Sequence, residues 1–354
     1  MNRFHKINPN KVMIENNDEN RKEKYKVVSL FSGCGGMDLG FHGGFDFLNK
    51  YYGTNPFEIV FSNDIFKAAA DVYEYNFKSL VNRTSIDELD VNILPQADIV
   101  VGGFPCQDFS HAGKRKGLDA DRGRLYQHMI RVIEHVNPKV FVAENVDGLR
   151  THKHSENSLN SLDIILNDFE KVGKGYRVEY QVLNAADYGV PQTRKRVIII
   201  GVRNDIDTPI YYPKETCVES QGSWVSAKDA IDDLWDKIDS PDIFNHTTRD
   251  YSKAKFYPGK KMQGNNRIKA NMPSPTIRAE HHGNIEAHYR TKLEDETDMS
   301  GWRRLSVREC ARLQSFPDKY NFNVSASSAY KMIGNAVPPV LGWYIARAVL
   351  KILD

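Results

Sequence analysis

The sequence predicts an α/β fold with a doubly wound, mostly parallel sheet and a second, smaller domain. Short apolar, β-branched runs alternate with helical patterns through the first part of the chain, as in a parallel sheet covered by helices. Glycine and polar residues follow these runs, which is where such sheets bind ligands. The alternation stops near Arg203, and 354 residues are enough for more than one core.

The first four predicted strands are short apolar runs at residues 26–31, 58–62, 98–102 and 139–143. Apolar residues at helical spacing predict helices at 37–45, 67–77 and 123–136. Pro138 ends the last of these helices, because proline cannot continue one. Two further strands are predicted at 177–183 and 196–202.

From Arg203 to Trp302, short apolar pieces are broken by Pro, Gly, Asn and His, which predicts a separate unit without βα alternation. Helices are predicted at 306–316 and 337–353, and the second has one apolar face that would return to the sheet. We therefore divide the chain into three parts. They are a flexible arm (1–25), a sheet domain (26–203 with 330–354), and the second domain with its supporting segment (204–329).

The composition excludes several classes of protein. The 48 basic and 46 acidic residues leave a net charge of +2, so any nucleic-acid surface must come from local clustering of charge. The cysteines Cys34, Cys106, Cys217 and Cys310 form no CxxC pair, which argues against a disulfide framework and a zinc site. The N-terminus is polar and has no apolar run, so we expect neither a signal peptide nor a membrane anchor there. We expect a cytoplasmic protein without a metal.

A glycine-rich turn follows the first strand, at 32–36 (SGCGG), and would let a cofactor approach the backbone closely. A purely structural turn is an equally good interpretation of these residues alone. A nicotinamide site would need G-x-G-x-x-G, and here the third glycine is misplaced. Asp64 follows the second strand, where a carboxylate can bind ribose hydroxyls or simply cap the next helix.

Three polar groups stand at the ends of later strands. Cys106 follows Pro105, and the basic, glycine-containing loop at 110–117 after it would favour a thiolate, although most lone cysteines are buried small hydrophobes. Glu144 ends an apolar strand, a setting suited to sharing a proton. Arg194 and Arg196 point to the same side of a strand by alternation, unless they are part of a solvated charge run.

Taken together, six segments between Val27 and about Leu350 closely resemble, in order, motifs of the DNA (cytosine-5) methyltransferase family, especially its bacterial restriction-modification members. They are 31–41 (FSGCGGMDLGF), 102–110 (GGFPCQDFS), 144–146 (ENV), 192–196 (QTRKR), 304–317 (RLSVRECARLQSFP) and 330–338 (YKMIGNAVP). The resemblance implies a Rossmann-like methyltransferase sheet domain and places a target-recognition domain in the second domain.

The resemblance also implies roles for single residues. Cys106 would be the nucleophile that adds to carbon 6 of a flipped-out cytosine, with Glu144 at N3, Arg196 at O2 and Arg194 as a supporting charge. S-adenosylmethionine would be bound by residues shared between five segments of the chain. They are Phe31, Ser32, Gly33, Cys34, Gly35, Gly36, Asp64, Ile65, Ile86, Leu125 and Asn335.

The sequence departs from the family pattern at two cofactor positions. Asp64 stands where the family usually has Glu, and the usual Asp-Ile pair is replaced by residues 85–87 (SID). Either Ser85 replaces the acid or Asp87 is shifted into its role. His281 and its neighbours up to His288 match no common zinc spacing, so loop residues near DNA are the preferred interpretation.

The partners that the resemblance implies are double-stranded DNA, contacted by Gln107, Ser110 and Thr276, and a restriction endonuclease acting alongside a monomeric, nucleoid-associated bacterial enzyme. Two alternatives remain: a tRNA cytosine-5 methyltransferase on the same scaffold, and a catalytically silent DNA-binding relative. A tRNA enzyme would have a shorter recognition region, and a silent relative would have lost one of the catalytic residues. The sequence therefore favours an active DNA enzyme, whose recognition sequence it does not specify.

Overall fold

The computed structural model describes residues 23–105, 125–151, 160–250, 268–279, 289–290 and 303–354. A six-stranded sheet forms its centre. In chain order its strands are β1 (Tyr25–Leu30), β4 (Phe57–Asn63), β5 (Ile99–Gly102), β6 (Val140–Val146), β7 (Tyr176–Asn184) and β8 (Lys195–Arg203). Their order across the sheet is β4-β1-β5-β6-β8-β7. The predicted α/β class and the mostly parallel sheet are confirmed.

Five of these strands run in one direction, and β8 runs against them between β6 and β7. After β1 the chain continues to β4, which pairs with one side of β1, and later to β5, which pairs with the other side. Parallel sheets bind ligands in the crevice at such a reversal. Because β8 is antiparallel, it begins at the edge where its neighbours end, and Arg196 pairs with Val146.

Helices cover both faces of the sheet. In chain order they are α1 (Gly36–His42), α2 (Lys67–Phe77), α3 (Leu125–Val136), α4 (Ser161–Glu170), α7 (Ala326–Asn335) and α8 (Pro339–Leu353). The predicted last helix is confirmed, and it packs on α1 where Gly40 meets Gly342. The stretch Ala326–Leu353 is apolar enough to cross a membrane, but most of its residues are buried inside the protein.

The first helix is shorter than predicted. It ends at His42 instead of Phe45, because Gly43 and Gly44 both adopt positive φ angles that end the helix. A hairpin follows, formed by β2 (Phe45–Phe47) and β3 (Lys50–Tyr52). Its turn residues, Leu48 and Asn49, both have positive φ angles without a glycine.

The second part of the chain contains α5 (Ala227–Ile231), the two-stranded ribbon of β9 (Tyr289–Arg290) and β10 (Arg303–Arg304), and α6 (Val307–Leu313). Ser306 and Glu309 form a capping box that begins α6. One apolar cluster joins this part to the sheet domain, because Leu305, Phe316 and Phe322 pack in the same core as Cys34 and Val72.

Candidate active site

The carboxyl edge of the sheet surrounds a cavity of about 760 Å³. Most of the described residues that the sequence assigned to catalysis or to the cofactor line it. They are Phe31, Ser32, Gly33, Gly36, Asp64, Ile65, Ile86, Leu125, Glu144, Arg194, Arg196 and Asn335. A wider cleft of about 1290 Å³ lies against the β2–β3 hairpin and contains none of the predicted site residues.

The glycine-rich turn forms the floor of the cavity. Phe31 and Gly33 adopt positive φ angles of 52° and 55°, and a Cβ on Gly33 would meet nothing within 4 Å. Gly33 therefore leaves open space on the ligand side. Gly36 has a different reason to be glycine, because a Cβ there would lie 2.3 Å from the backbone oxygen of Val337.

Two residues of the turn do not line the cavity, although the sequence predicted that they contact the cofactor. Cys34 is buried, and its thiol donates to the carbonyl of Met332 at 3.7 Å. Gly35 packs beneath the turn, where a Cβ would lie 2.4 Å from the Phe77 ring. Both residues pack beneath the turn. Their positions do not favour the predicted contact with the cofactor.

Asp64 shapes the turn directly. Its carboxylate accepts a hydrogen bond from Gly33 N at 2.8 Å and another from Phe66 N at 2.7 Å. Burial raises the pKa of Asp64, while these two bonds and the nearby Lys331 act in the opposite direction. Each carboxylate oxygen keeps a second lone pair for a ligand hydroxyl. The Ile65 side chain is 67% exposed beside it, available as an apolar surface.

The structure separates the two candidates for the missing acid. Ser85 lines the cavity, whereas Asp87 is exposed and is not among the lining residues. The Ser85 hydroxyl donates a hydrogen bond to the Asp87 carboxylate. Ser85 therefore occupies the cavity position, with Asp87 behind it.

Glu144 and Arg196 form an ion pair at the other end of the cavity. The Arg196 Nε atom lies 2.8 Å from Glu144 Oε1, and both side chains are about nine-tenths buried. A Cβ on Gly103 would lie 2.9 Å from Glu144 Oε2, so a larger residue there would push this carboxylate out of its present position. The loop leads to Pro105, which also lines the cavity. Cys106, Gln107 and Ser110 lie outside the described residues.

Residues 25–351 match a family model described as C-5 cytosine-specific DNA methylase. The chain belongs to this family. Among curated relatives, the Type II methyltransferase M.BspRI of Lysinibacillus sphaericus is 38% identical over 94% of this chain and 82% of that protein. M.BsuRI of Bacillus subtilis is 36% identical over 93% and 80%. The protein is therefore a DNA (cytosine-5) methyltransferase, as the sequence predicted.

Solved structures support the fold of the methylase. The Dnmt2 methyltransferase of S. pombe superposes with a TM-score of 0.66 at 20% identity, covering 94% of this chain and all of that one. The Entamoeba histolytica methyltransferase EhMeth gives a TM-score of 0.62 at 17% identity, over 94% and 99%. At these identities the likeness concerns the fold alone.

The segment 192–196, which carries one of the family motifs, connects several elements of the methylase. The Arg194 side chain is buried, with Nη1 donating to Ile277 O at 3.0 Å and Nη2 to Gly334 O at 2.8 Å. Burial lowers the pKa of Arg194, and Arg196 acts in the same direction. Arg194 lines the cavity as predicted, but these two bonds favour a positioning role over direct contact with the base.

Gln192 is fully buried and joins three segments. Its Nε2 donates to Leu313 O at 3.1 Å, and its Oε1 accepts from Ile277 N at 3.0 Å. Thr276, predicted to contact DNA, is half-buried, and its hydroxyl donates to Thr193 O at 2.7 Å. The Thr276 side chain therefore fixes the segment 268–279 to the residues just before β8, and a DNA contact remains a prediction.

The assignment from sequence missed several residues that line the cavity, and three of them have polar side chains inside the recognised motifs. Asn145 donates to Phe104 O at 3.2 Å and so holds the loop that leads to Cys106. Lys331 lies over the Phe66 ring at 4.6 Å and lines the cavity beside Asp64. Asp38 lines the cavity from α1. All three lie inside the recognised motifs, and their positions in those motifs could have identified them as cavity residues.

The cavity suits S-adenosylmethionine. It provides a turn with open space at Gly33, a carboxylate at Asp64 for ribose hydroxyls, and an exposed apolar side chain at Ile65 for a purine ring. Among the residues that the structure describes, no group of three or more His, Cys, Asp or Glu side chains could hold a metal ion. The histidines between 281 and 288 lie outside the described residues.

Proposed function

We propose that this methylase transfers a methyl group to carbon 5 of a flipped-out cytosine in a specific duplex DNA sequence, through a covalent bond to Cys106. The observation that carries the proposal is the Glu144–Arg196 ion pair, which faces the cavity beside the loop that leads to Cys106. The motif order supports the assignment of Cys106 itself.

Cys106 supplies the nucleophile. Its thiolate forms a bond to carbon 6 of cytosine, and the electron pair of the 5,6 double bond moves towards N3 and O2. Glu144 shares a proton with N3, and Arg196 donates a hydrogen bond to O2, so both stabilise the ring while it is electron-rich. Carbon 5 is then nucleophilic enough to take a methyl group.

Bound S-adenosylmethionine would supply that methyl group as an electrophile on a sulfonium centre. Gly33, Asp64, Ile65 and Asn335 would hold it in the cavity. After methylation, the carbon 5 proton leaves to a base, the 5,6 double bond forms again, and Cys106 leaves as thiolate. Because carbon 6 cannot be reached inside a stacked duplex, the cytosine must be flipped out, as DNA methyltransferases in general require.

The relatives that are 33–38% identical are named Type II methyltransferases, which supports a role as the modification enzyme of a restriction-modification system. We further infer that the methylase acts as a monomer on double-stranded DNA, alongside an endonuclease that cuts the same unmodified sequence.

The experiment uses tritiated S-adenosylmethionine with duplex DNA, tRNA or no nucleic acid. We expect label on DNA alone, and duplex DNA containing 5-fluorocytosine should give a denaturation-resistant complex, because fluorine cannot leave as a proton does. Cys106→Ser should abolish both results while keeping DNA binding. Label on tRNA but not on DNA would favour the tRNA enzyme, and DNA binding without transfer would favour a silent relative.

A further inference from the structure

The segment that follows Asn82 lies beside Asp64 at the cofactor cavity. Ser85 and Ile86 line the cavity, whereas Asp87 is exposed and does not line it. The segment is joined to the end of β4, because Asp64 N donates a hydrogen bond to Asn82 O at 3.0 Å. Ser85 therefore lies next to the carboxylate that suits the ribose of a bound nucleoside.

Hydrogen bonds hold the backbone on both sides of Ser85. Before it, the buried Asn63 side chain donates to Thr84 O at 2.9 Å. After it, Nη2 of Arg131, on α3, donates to Ile86 O at 2.6 Å. The backbone that carries Ser85 is therefore held in place by other parts of the protein.

The single proton of the Ser85 hydroxyl is used within the protein. Ser85 Oγ donates a hydrogen bond to the Asp87 carboxylate. This bond lowers the pKa of Asp87, and the nearby His128 acts in the same direction, so Asp87 is ionised at neutral pH. A serine hydroxyl has one proton and two lone pairs. Towards the cavity, Ser85 Oγ can therefore only accept a hydrogen bond.

We propose that Ser85, oriented by Asp87, accepts a hydrogen bond from the 6-amino group of the cofactor's adenine and makes the cavity select adenine over 6-oxopurines. This inference rests on the proposed function. With its ribose at Asp64 and its ring on Ile65, the purine presents an edge to the neighbouring segment 82–86. An amino group donates to an oxygen that can only accept, whereas a 6-oxo group would meet lone pairs with lone pairs.

The two side chains together replace the acid that the family usually has at this position. A carboxylate in the cavity would also offer acceptors only. Ser85 and Asp87 keep that acceptor pattern, while the negative charge lies on the solvent side of the hydroxyl. Asp87 does not line the cavity and acts through Ser85, so Asp87 is a positioning residue.

The experiment measures dissociation constants of the full chain by calorimetry, without DNA, for S-adenosylhomocysteine and S-inosylhomocysteine. The two ligands differ only by an amino or an oxo group on carbon 6 of the purine. We expect the wild-type protein to bind the adenine ligand more tightly. Ser85→Ala should weaken the adenine ligand about tenfold without weakening the 6-oxo ligand, because only the former loses a hydrogen bond.

Asp87→Ala should change the other ligand. Without its acceptor, the Ser85 hydroxyl can turn and donate to the 6-oxo group. The 6-oxo ligand should then bind several-fold more tightly, with little change for the adenine ligand. Glu88→Ala is the matched control, since Glu88 is an exposed acid next to Asp87 that does not line the cavity, and it should leave both constants unchanged.

Equal weakening of both ligands by Ser85→Ala would give Ser85 a purely structural role and overturn the inference. A wild-type ratio of the two constants in Asp87→Ala would overturn it as well, and this exposed position tests the inference even where Ser85→Ala does not fold. Equal binding of both ligands by the wild-type protein would contradict the inference alone. A wild-type protein that bound neither ligand would overturn the proposed function together with it.

Discussion

Asp38 is a buried acid on α1 whose carboxylate accepts a hydrogen bond from the Ser29 hydroxyl at 2.7 Å, and it should make the stability of the ligand-free protein depend on pH. Its pKa is about 6 in the folded protein and about 4 in an unfolded chain, so the unfolded chain loses its proton first as pH rises. Compared with Asp38→Asn, the wild-type free energy of unfolding should fall between about pH 4 and 6 by about 2–3 kcal/mol, and then stay level.

Urea unfolding of both proteins at several pH values measures this difference. Asp64 and the other acids titrate in both proteins, so their effects cancel in the comparison. The amide introduced by the substitution lacks the acceptor geometry of a carboxylate, which shifts the free energy of unfolding by the same amount at every pH. The test is therefore the change of the difference between the two proteins with pH. A difference between the proteins that stayed constant from about pH 4 to 7.5 would contradict a titrating Asp38.

Single site residues could be predicted from sequence where the strand ends determine their position. Glu144 and Asp64 both follow apolar strands, and parallel strands bring such ends together. The roles of Cys34 and Gly35 could not be predicted, because packing against Met332 and Phe77 depends on contacts that are distant in sequence. The choice between Ser85 and Asp87 depends on which way the side chains point in an irregular segment. Such a segment has no helical or strand periodicity from which that direction could be predicted.

At the scale of the elements, Arg194 connects the beginning of β8 to two other segments of the chain. Arg194 donates to the carbonyls of Ile277, in the segment 268–279, and of Gly334, in α7. Arg194→Met would leave both carbonyls buried without a partner. We expect the free energy of unfolding to fall by about 2–4 kcal/mol and methyl transfer to fall with it. Thermal unfolding and the tritium assay measure the two effects.

Two further variants make this test specific. Lys195→Met changes the exposed neighbour of Arg194 and should leave stability and transfer near wild type. Arg194→Lys should restore little, because one ammonium group cannot replace two guanidinium nitrogens that reach separate carbonyls. Full recovery with lysine would show that the charge matters and that the two-carbonyl bridge does not.

Elements that carry strong hydrophobic periodicity were predicted correctly, including four parallel strands and α8. The antiparallel direction of β8 could not be predicted, since an apolar run has the same pattern in either direction. The β2–β3 hairpin was missed because its turn uses Leu48 and Asn49 at positive φ instead of the usual Asn-Gly signal. The helix α7 was also missed, because it begins with short polar residues and ends inside a recognised motif.

At the scale of the whole molecule, one apolar cluster spans the predicted boundary between the sheet domain and the second domain (204–329). Phe316 and Phe322 pack in one cluster with Cys34, Ala69 and Val72. Hydrogen bonds cross the same boundary, because the Tyr320 hydroxyl donates to Cys34 O and Asn76 bonds Asn321. Among the described residues, the apolar core of 204–329 is therefore shared with the sheet domain.

A shared core predicts that both parts unfold in one cooperative transition. Trp235 reports on the second domain through its contact with Arg303, and Trp343 reports on α8 beside Tyr52. In two variants that keep only one of these tryptophans, urea midpoints followed by fluorescence should coincide. S-adenosylmethionine should raise both midpoints equally, because a ligand stabilises the whole unit that it binds. A Trp235 transition at lower urea that did not respond to the cofactor would show that the second domain folds independently, in support of the predicted two-domain division.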